Sequence, residues 1–332
     1  MASVPASGSA TILVIGSYVH DHVWLTDRFP AVGETRRALG FHTGPGGKGF
    51  NQAVACARQG ADCVFMAAIG NDALGGVAQG FAANEGLACR WSLHADQPTA
   101  ACGIIVDGQG ANQIVVNLAA NAHLQPEFLC AQADAFAAAR LLLLQLEVNL
   151  DAVRAALQLA AEHALPCVLN PAPMHADVDA VVLAACELIT PNETEFSQLL
   201  AQVCTVQVAA NSIVDLPSPQ LHALCRQLAP HTTVVITLGA AGCFVSHVEG
   251  EQRGDKEVCY RMAAEQATTI DTTGAGDAFN GALVAAMLRM HEAPFKAMVR
   301  HANQVAALST ETVGAATAMP SLAAVQARFG VT

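Results

Sequence analysis

The stretch of the chain richest in chemistry is Asp271-Thr272-Thr273-Gly274-Ala275-Gly276-Asp277-Ala278-Phe279-Asn280-Gly281. Gly274 and Gly276 let successive backbone amides turn toward one point, and the helical sequence after them adds the positive end of a helix dipole. Such a turn holds an anion. Asp277 falls in the first turn of that helix, where a carboxylate is electrostatically favoured. There it stands beside the anion and can accept a proton from an attacking hydroxyl. An ordinary capped helix after a tight turn would show the same four residues, GAGD. A dinucleotide fingerprint is disfavoured, because Asp277, Ala278 and Phe279 leave no third glycine at the GxGxxG spacing.

Gly44-Pro45-Gly46-Gly47-Lys48-Gly49-Phe50-Asn51 is a second glycine turn leading into a helix. It is not a Walker A loop, since Gly49 follows Lys48 where Ser or Thr would hold magnesium. Gly46 and Gly47 let a ligand lie against the backbone, and Lys48 and Asn51 supply donors to hydroxyls or phosphate. A flexible loop with a solvated lysine is the plainer alternative. Asp21, Glu147 and the pair Asn192 and Glu195 follow apolar strands, at the ends where open α/β sheets place ligands. Each alone fits a helix cap or solvated loop residue, and it is the recurrence at strand ends that points to a site. Thr237-Leu238-Gly239-Ala240-Ala241-Gly242 adds a third glycine turn, suited to packing on a nucleotide ring or its phosphates.

These residues need a sheet to hold them. Thr11 to Ile15 is a β-branched run ending at Gly16-Ser17, the pattern of a buried parallel strand. Cys63 to Ile69 reads as a second strand, followed by a helix through Ala82, a βαβ pattern. Further strands are expected at Leu141 to Leu146, Cys167 to Leu169, Leu188 to Ile189 and Val234 to Thr237, separated by Ala- and Leu-rich helices. Thr99 to Leu118 places Asp107-Gly108-Gln109-Gly110 between two β-rich arms, a hairpin signal. That hairpin and the Val19 to Gly44 stretch are assigned to one small sheet. The Thr205 to Pro219 insertion reads as a surface loop.

The 332 residues are 53% hydrophobic and 13% charged, which excludes disorder and allows a large core. Sixteen basic against 28 acidic residues give −12, so no nucleic acid or anionic membrane is expected as a partner. The first ten residues carry neither a positive charge nor an apolar run, and nothing approaches the roughly 20 apolar residues of a membrane helix. A cytoplasmic protein is expected. Eleven cysteines without a CxxC pair read as small core residues, and no Cys/His group has the spacing of a structural metal site.

Taken together, these motifs resemble the ribokinase branch of the PfkB carbohydrate kinases. The resemblance runs in family order from Gly16-Ser17 through PGGKGFNQA, QLE, NPAP, TPNETE and TLGAAG to DTTGAGDAFNGAL, nearly the whole chain. It implies a three-layer αβα core with a mostly parallel sheet (residues 1–16, 45–97 and 120–332) and a small β-sheet lid (17–44 and 98–119). The implied reaction is transfer of the ATP γ-phosphoryl group to a sugar hydroxyl, with D-ribose the leading acceptor. A fructose-type or nucleoside kinase and a catalytically silent sugar-binding protein are the rivals.

By the same resemblance Asp277 is the base, and the amides of Gly274, Ala275 and Gly276 receive the developing charge. Asp21, Gly46, Gly47, Lys48, Asn51 and Glu147 contact the sugar. Asn192, Thr237, Gly239, Gly242, Gly276 and Asn303 line the nucleotide site, while Glu195 and Asn192 organise Mg²⁺ through water. Asp271, Thr273, Ser309, Thr312, Gly314 and Ala318 correspond to a monovalent cation site taken by K⁺. A homodimer through the lid is implied as well. Two positions depart from the family pattern. Val19 stands where an Asn usually bonds sugar hydroxyls, so a sugar lacking or reorienting that hydroxyl is expected to bind better. Ala318 stands where a serine often supplies an oxygen, so K⁺ activation is expected to be weakened and not lost.

Overall fold

The computed structural model describes residues 11–330. The first ten residues, expected to carry no targeting signal, lie outside the described residues. β1 (Thr11–Ile15) runs through the middle of the molecule, and its side chains are apolar on both faces because both faces are covered. Ile12 and Val14 enter one core cluster with Leu141 and Leu143, while Leu13 and Ile15 enter the other with Leu142 and Leu144. This alternation is the period of a strand buried on both sides.

Nine strands form the main sheet: β1, β4 (Asp62–Gly70), β5 (Ala88–His94), β8 (Ala139–Gln145), β9 (Cys167–Asn170), β10 (Leu188–Ile189), β11 (Thr233–Thr237), β12 (Cys243–Ser246) and β13 (Cys259–Met262). Their order is β13-β12-β11-β10-β9-β8-β1-β4-β5, antiparallel only at β11–β12 and β12–β13. Helices Leu150–Glu162, Glu193–Cys204 and Ser218–Leu228 cover one face, and helices Lys48–Arg58, Ala73–Asn84, Ala275–Arg289 and Phe295–Ser309 cover the other. From β1 the chain builds outward to β4 and β5 on one side and to β8 onward on the other. The strand order therefore reverses between β1 and β8, and such a switch point is where open α/β sheets place ligands, beyond the carboxyl ends of the strands.

A separate four-stranded sheet, β3-β2-β6-β7, is built from β2 (Val19–Leu25), β3 (Gly40–Gly46), β6 (Ala101–Val106) and β7 (Asn112–Asn117). The hairpin read at Asp107 to Gly110 joins β6 and β7 in antiparallel register, and β2 pairs in parallel with β6. Seven of the eleven cysteines are buried. Among the described residues no helix is long and apolar enough to cross a membrane.

Two features differ from the sequence reading. The Thr205 to Pro219 segment is not simply a surface loop: Ile213 is fully buried on a short 3-10 turn, and Val206, Val208 and Leu216 pack on the core. Its apolar residues, interspersed with polar ones, keep to no single strand or helix period. β5, β12 and β13 had no expected counterpart. β5 and β13 are the outer strands of the sheet, and β5 is only partly buried, so its alternation is weak.

Candidate active site

Asp277 lies in the first turn of the Ala275–Arg289 helix and is buried. Both of its oxygens are held by the neighbouring Lys48–Arg58 helix: Asn51 Nδ2 donates to Oδ2 and Gln52 Nε2 to Oδ1, each at 2.9 Å. Two neutral amides thus orient the carboxylate without neutralising it. The support continues inward, since Gln52 Nε2 also donates to Asn170 Oδ1 (3.1 Å) and Gln145 Nε2 donates to Gln52 Oε1 (2.6 Å). Asn170 donates to the Thr190 carbonyl, and the Thr190 hydroxyl donates to Asn280 one turn beyond Asp277. The sequence reading assigned no role to Gln52, Gln145 or Asn170. For Gln145 and Asn170 the signal was a polar residue ending an apolar strand, as in LLLLQ and CVLN, whereas Gln52 lies within a helix and had none.

The two helices can share this network because they nearly touch. A methyl group on Gly281 would collide with the Gln52 carbonyl. Gly274, at φ 75, starts the Ala275–Arg289 helix in a conformation that disfavours other residues. No side chain caps this helix start. The Ala275 amide is taken by the Thr272 carbonyl at 3.2 Å, whereas the amides of Gly274, Gly276 and Asp277 have no partner among the described residues. Of the three amides expected to face an anion, Ala275 is therefore engaged within the turn, and Asp277 offers its own in addition.

At the start of the Lys48–Arg58 helix, Glu147 Oε2 accepts from the Ser17 hydroxyl (2.5 Å) and from the Lys48 amide (2.9 Å). Glu147 thus caps a helix whose Gly47 start, at φ 89, has no side chain of its own. Asp21, on β2, lies over Gly46, where an added methyl would strike its carboxyl group. Cys102 Sγ donates to Asp21 Oδ1 at 3.0 Å. Burial pushes the Asp21 carboxyl up to about 6, the Cys102 bond works against this, and Glu147 and Asp277 push further upward.

Lys48 is the cation among these carboxylates. Burial alone would lower its pKa, but Asp277, Glu147 and Glu195 together outweigh burial and raise it. The raised pKa keeps its ammonium charged, and that ammonium has no hydrogen-bond or ion-pair partner among the described residues. Val19, also on β2, is buried with Ala100, Cys102 and Ile104 and offers no polar atom beyond its backbone.

Asn192 and Glu195 form a reciprocal capping box: Glu195 Oε2 accepts from the Asn192 amide (2.8 Å) and Asn192 Oδ1 from the Glu195 amide (2.9 Å). Burial raises the Glu195 carboxyl, the bond from Asn192 and the charge of Lys48 oppose this, and Asp277 adds to the rise. Asn192 bridges to Thr237, so the TLGAAG turn starts beside it. Gly242, at φ 90, packs so closely on the Met262 carbonyl that a side chain would collide. The buried Asn303 leans on Cys243 and the Ala263 carbonyl, beside that turn. Thr237, Gly239, Gly242 and Asn303 thus form one group at the ends of β11 and β12.

The six residues aligned with a cation site are gathered only in part. Asp271 accepts from the amides of Thr273 and Gly314, both at 2.9 Å. The Ser309 hydroxyl is turned to the Ala306 carbonyl of its own helix. The Thr312 amide donates to the Ser309 carbonyl at 3.4 Å. Ala318 contributes only backbone. Among the described residues there is no group of three or more His, Cys, Asp or Glu able to hold a metal by itself. A magnesium ion here would be held chiefly by substrate phosphates and water, as this ion prefers.

Comparison with known proteins identifies the family. The model of the pfkB family of carbohydrate kinases matches residues 9–322. A ribokinase of Haemophilus influenzae is 36% identical over 314 residues, covering 94% of this chain and 95% of that protein. A deoxyribokinase of Salmonella typhi is 30% identical, covering 94% and 96%. The structure of ribokinase from Giardia lamblia superposes with a TM-score of 0.84 at 26% identity, covering 97% of this chain and 98% of that one. The chain belongs to the pfkB family of carbohydrate kinases and is a phosphotransferase with an alcohol group as acceptor.

Proposed function

We propose that the chain transfers the γ-phosphoryl group of ATP to a hydroxyl of a free pentose, D-ribose being the leading acceptor. The observation that carries this reading is the placement of Asp277. One buried carboxylate is oriented by the helix bearing Lys48 and stands at a helix start with unpartnered amides. Asp277 accepts the proton of the attacking hydroxyl. Lys48 and the amides of the 274–277 turn attract the terminal phosphate and meet the charge that develops on its oxygens. Asp21 and Asn51 hold sugar hydroxyls, and Glu147 fixes the helix that presents them. The turn at Thr237 to Gly242, with Asn192 and Asn303, receives the nucleotide.

Magnesium, when bound with ATP, offsets charge on the phosphate oxygens. Glu195 and Asn192 would hold it through water, which suits carboxylate oxygens already engaged in a capping box. K⁺ at the Asp271, Thr273 and Gly314 cluster would steady the glycine turn. The small sheet acts as the lid that excludes water during transfer. Its outer face carries Trp24, Phe41 and Val115, all exposed, and this face pairs with a second copy of the chain.

Val19 and the deoxyribokinase relative favour a second acceptor, a pentose lacking one hydroxyl. ATP turnover measured with D-ribose, 2-deoxy-D-ribose, fructose and nucleosides tests the proposal. Phosphorylation of a free pentose above the others is expected. Activity confined to nucleosides, or none with any acceptor, would contradict it.

A further inference from the structure

The Lys48–Arg58 helix, which carries Lys48 and Asn51 at one end, ends in Arg58 at the other. There the guanidinium grips Glu85 with a two-pronged bond, Nε to Oε2 at 2.8 Å and Nη2 to Oε1 at 2.7 Å. Its remaining nitrogen, Nη1, donates to two backbone carbonyls of a distant strap, Met319 at 2.6 Å and Thr317 at 3.0 Å. The next residue, the fully buried Gln59, donates to the Pro320 carbonyl at 2.7 Å and is itself held by His301. Three carbonyls of one irregular segment are thus received by the end of a single helix.

What the strap touches gives this clamp its meaning. A methyl group on Gly274 would stand 3.2 Å from Met319 Cε and 3.4 Å from Ala315 Cα, so the strap backs directly onto the glycine turn. The same segment is tied to Asp271 through the Gly314 amide. We infer that Arg58, locked by Glu85, is a positioning residue for phosphoryl transfer: it holds the 315–320 strap against Gly274 and thereby sets where the turn's free amides point. The inference rests on the reading of that turn as the phosphate-binding element. Arg58 itself lies at the far end of its helix and touches no group assigned to substrate. A fork of fixed donors serves this role, because it orients two carbonyls and a carboxylate at once.

The test is Arg58→Ala in the full chain, with steady-state kinetics on D-ribose and ATP and amide hydrogen exchange on the free protein. Displacing reacting groups by about an ångström costs about a hundredfold in rate, so kcat is expected to fall about ten- to a hundredfold while both KM values stay within about twofold. Exchange should quicken at 270–277 and 314–320 and stay unchanged over 48–56. Arg58→Lys, which keeps the charge but not the fork, should restore part of kcat. If Arg58→Ala fails to fold, Glu85→Gln is expected to show the same pattern at smaller size. Wild-type kcat in a folded Arg58 or Glu85 variant would overturn the inference. So would exchange that quickens throughout the Lys48–Arg58 helix, since Arg58 would then serve stability alone. If the unaltered chain phosphorylates no sugar, the kinase reading fails by itself, and the exchange pattern still decides whether the clamp controls the turn.

Discussion

The molecule holds two glycine turns that each open a helix, and they differ in how the helix start is satisfied. At Gly47 the chain supplies its own carboxylate: Glu147 takes the Lys48 amide and the Ser17 hydroxyl. At Gly274 no side chain caps the helix, and the amides of Gly276 and Asp277 have no partner among the described residues. A helix start attracts negative charge in either case. One is closed by the protein, and on the proposed reading it is the platform that carries Lys48 and Asn51 while the other receives an anion delivered with the substrate. On that reading the same local motif serves orientation in one place and charge stabilisation in the other.

The contrast breaks most severely at Asp277. Asp277→Asn is expected to lower kcat by about a hundred- to ten-thousandfold, the range for a lost general base, with ATP affinity by calorimetry unchanged. Retained activity would mean that the open turn works without a proton acceptor. Glu147→Gln weakens the closed turn by exchanging a charged acceptor for a neutral one that must still receive two donors. Leaving a buried donor poorly paired costs roughly 1–3 kcal/mol, so KM for the sugar should rise about ten- to a hundredfold with a smaller change in kcat.

Val19→Asn probes the roof over the closed turn. If the apolar wall selects a sugar lacking a hydroxyl, the ratio of kcat/KM for D-ribose over 2-deoxy-D-ribose should rise by about one decade, the lower end of what one buried hydrogen bond contributes. An unchanged ratio would remove Val19 from the account. The gentlest probe is pH. On the proposed reading Asp21, pushed up to about 6 chiefly by burial, accepts sugar hydroxyls most strongly when ionised. Acidification through that value protonates it, so KM for the sugar should climb as pH falls below about 6 and level off above it. Cys102→Ala removes a bond that favours the ionised form, and the rise should then begin at higher pH.

Short-range features of this chain were legible in its sequence. β1, the hairpin at Asp107 to Gly110 and both glycine turns depend on a few adjacent residues, and the carboxylates were flagged by their place after apolar strands. Partnerships across the chain were not. Gln52 and Asp277 are 225 positions apart, and nothing local marks one as the other's donor. Ile213 was hidden for a related reason, because the apolar anchors at 206, 208, 213 and 216 keep to no single strand or helix period. Arg58 carried no local signal either, since the carbonyls it holds, at 317 and 319, lie 259 and 261 positions away.

The central claim is that Asp277 and the open turn address the two ends of one reaction. It is tested most directly by a crystal structure with D-ribose and a non-hydrolysable ATP analogue. The account places one sugar hydroxyl within about 2.6–3.2 Å of an Asp277 oxygen, with the terminal phosphate beyond it on the amides of Gly276 and Asp277. A sugar whose hydroxyls all face away from Asp277, or a phosphate seated away from that turn, would contradict it.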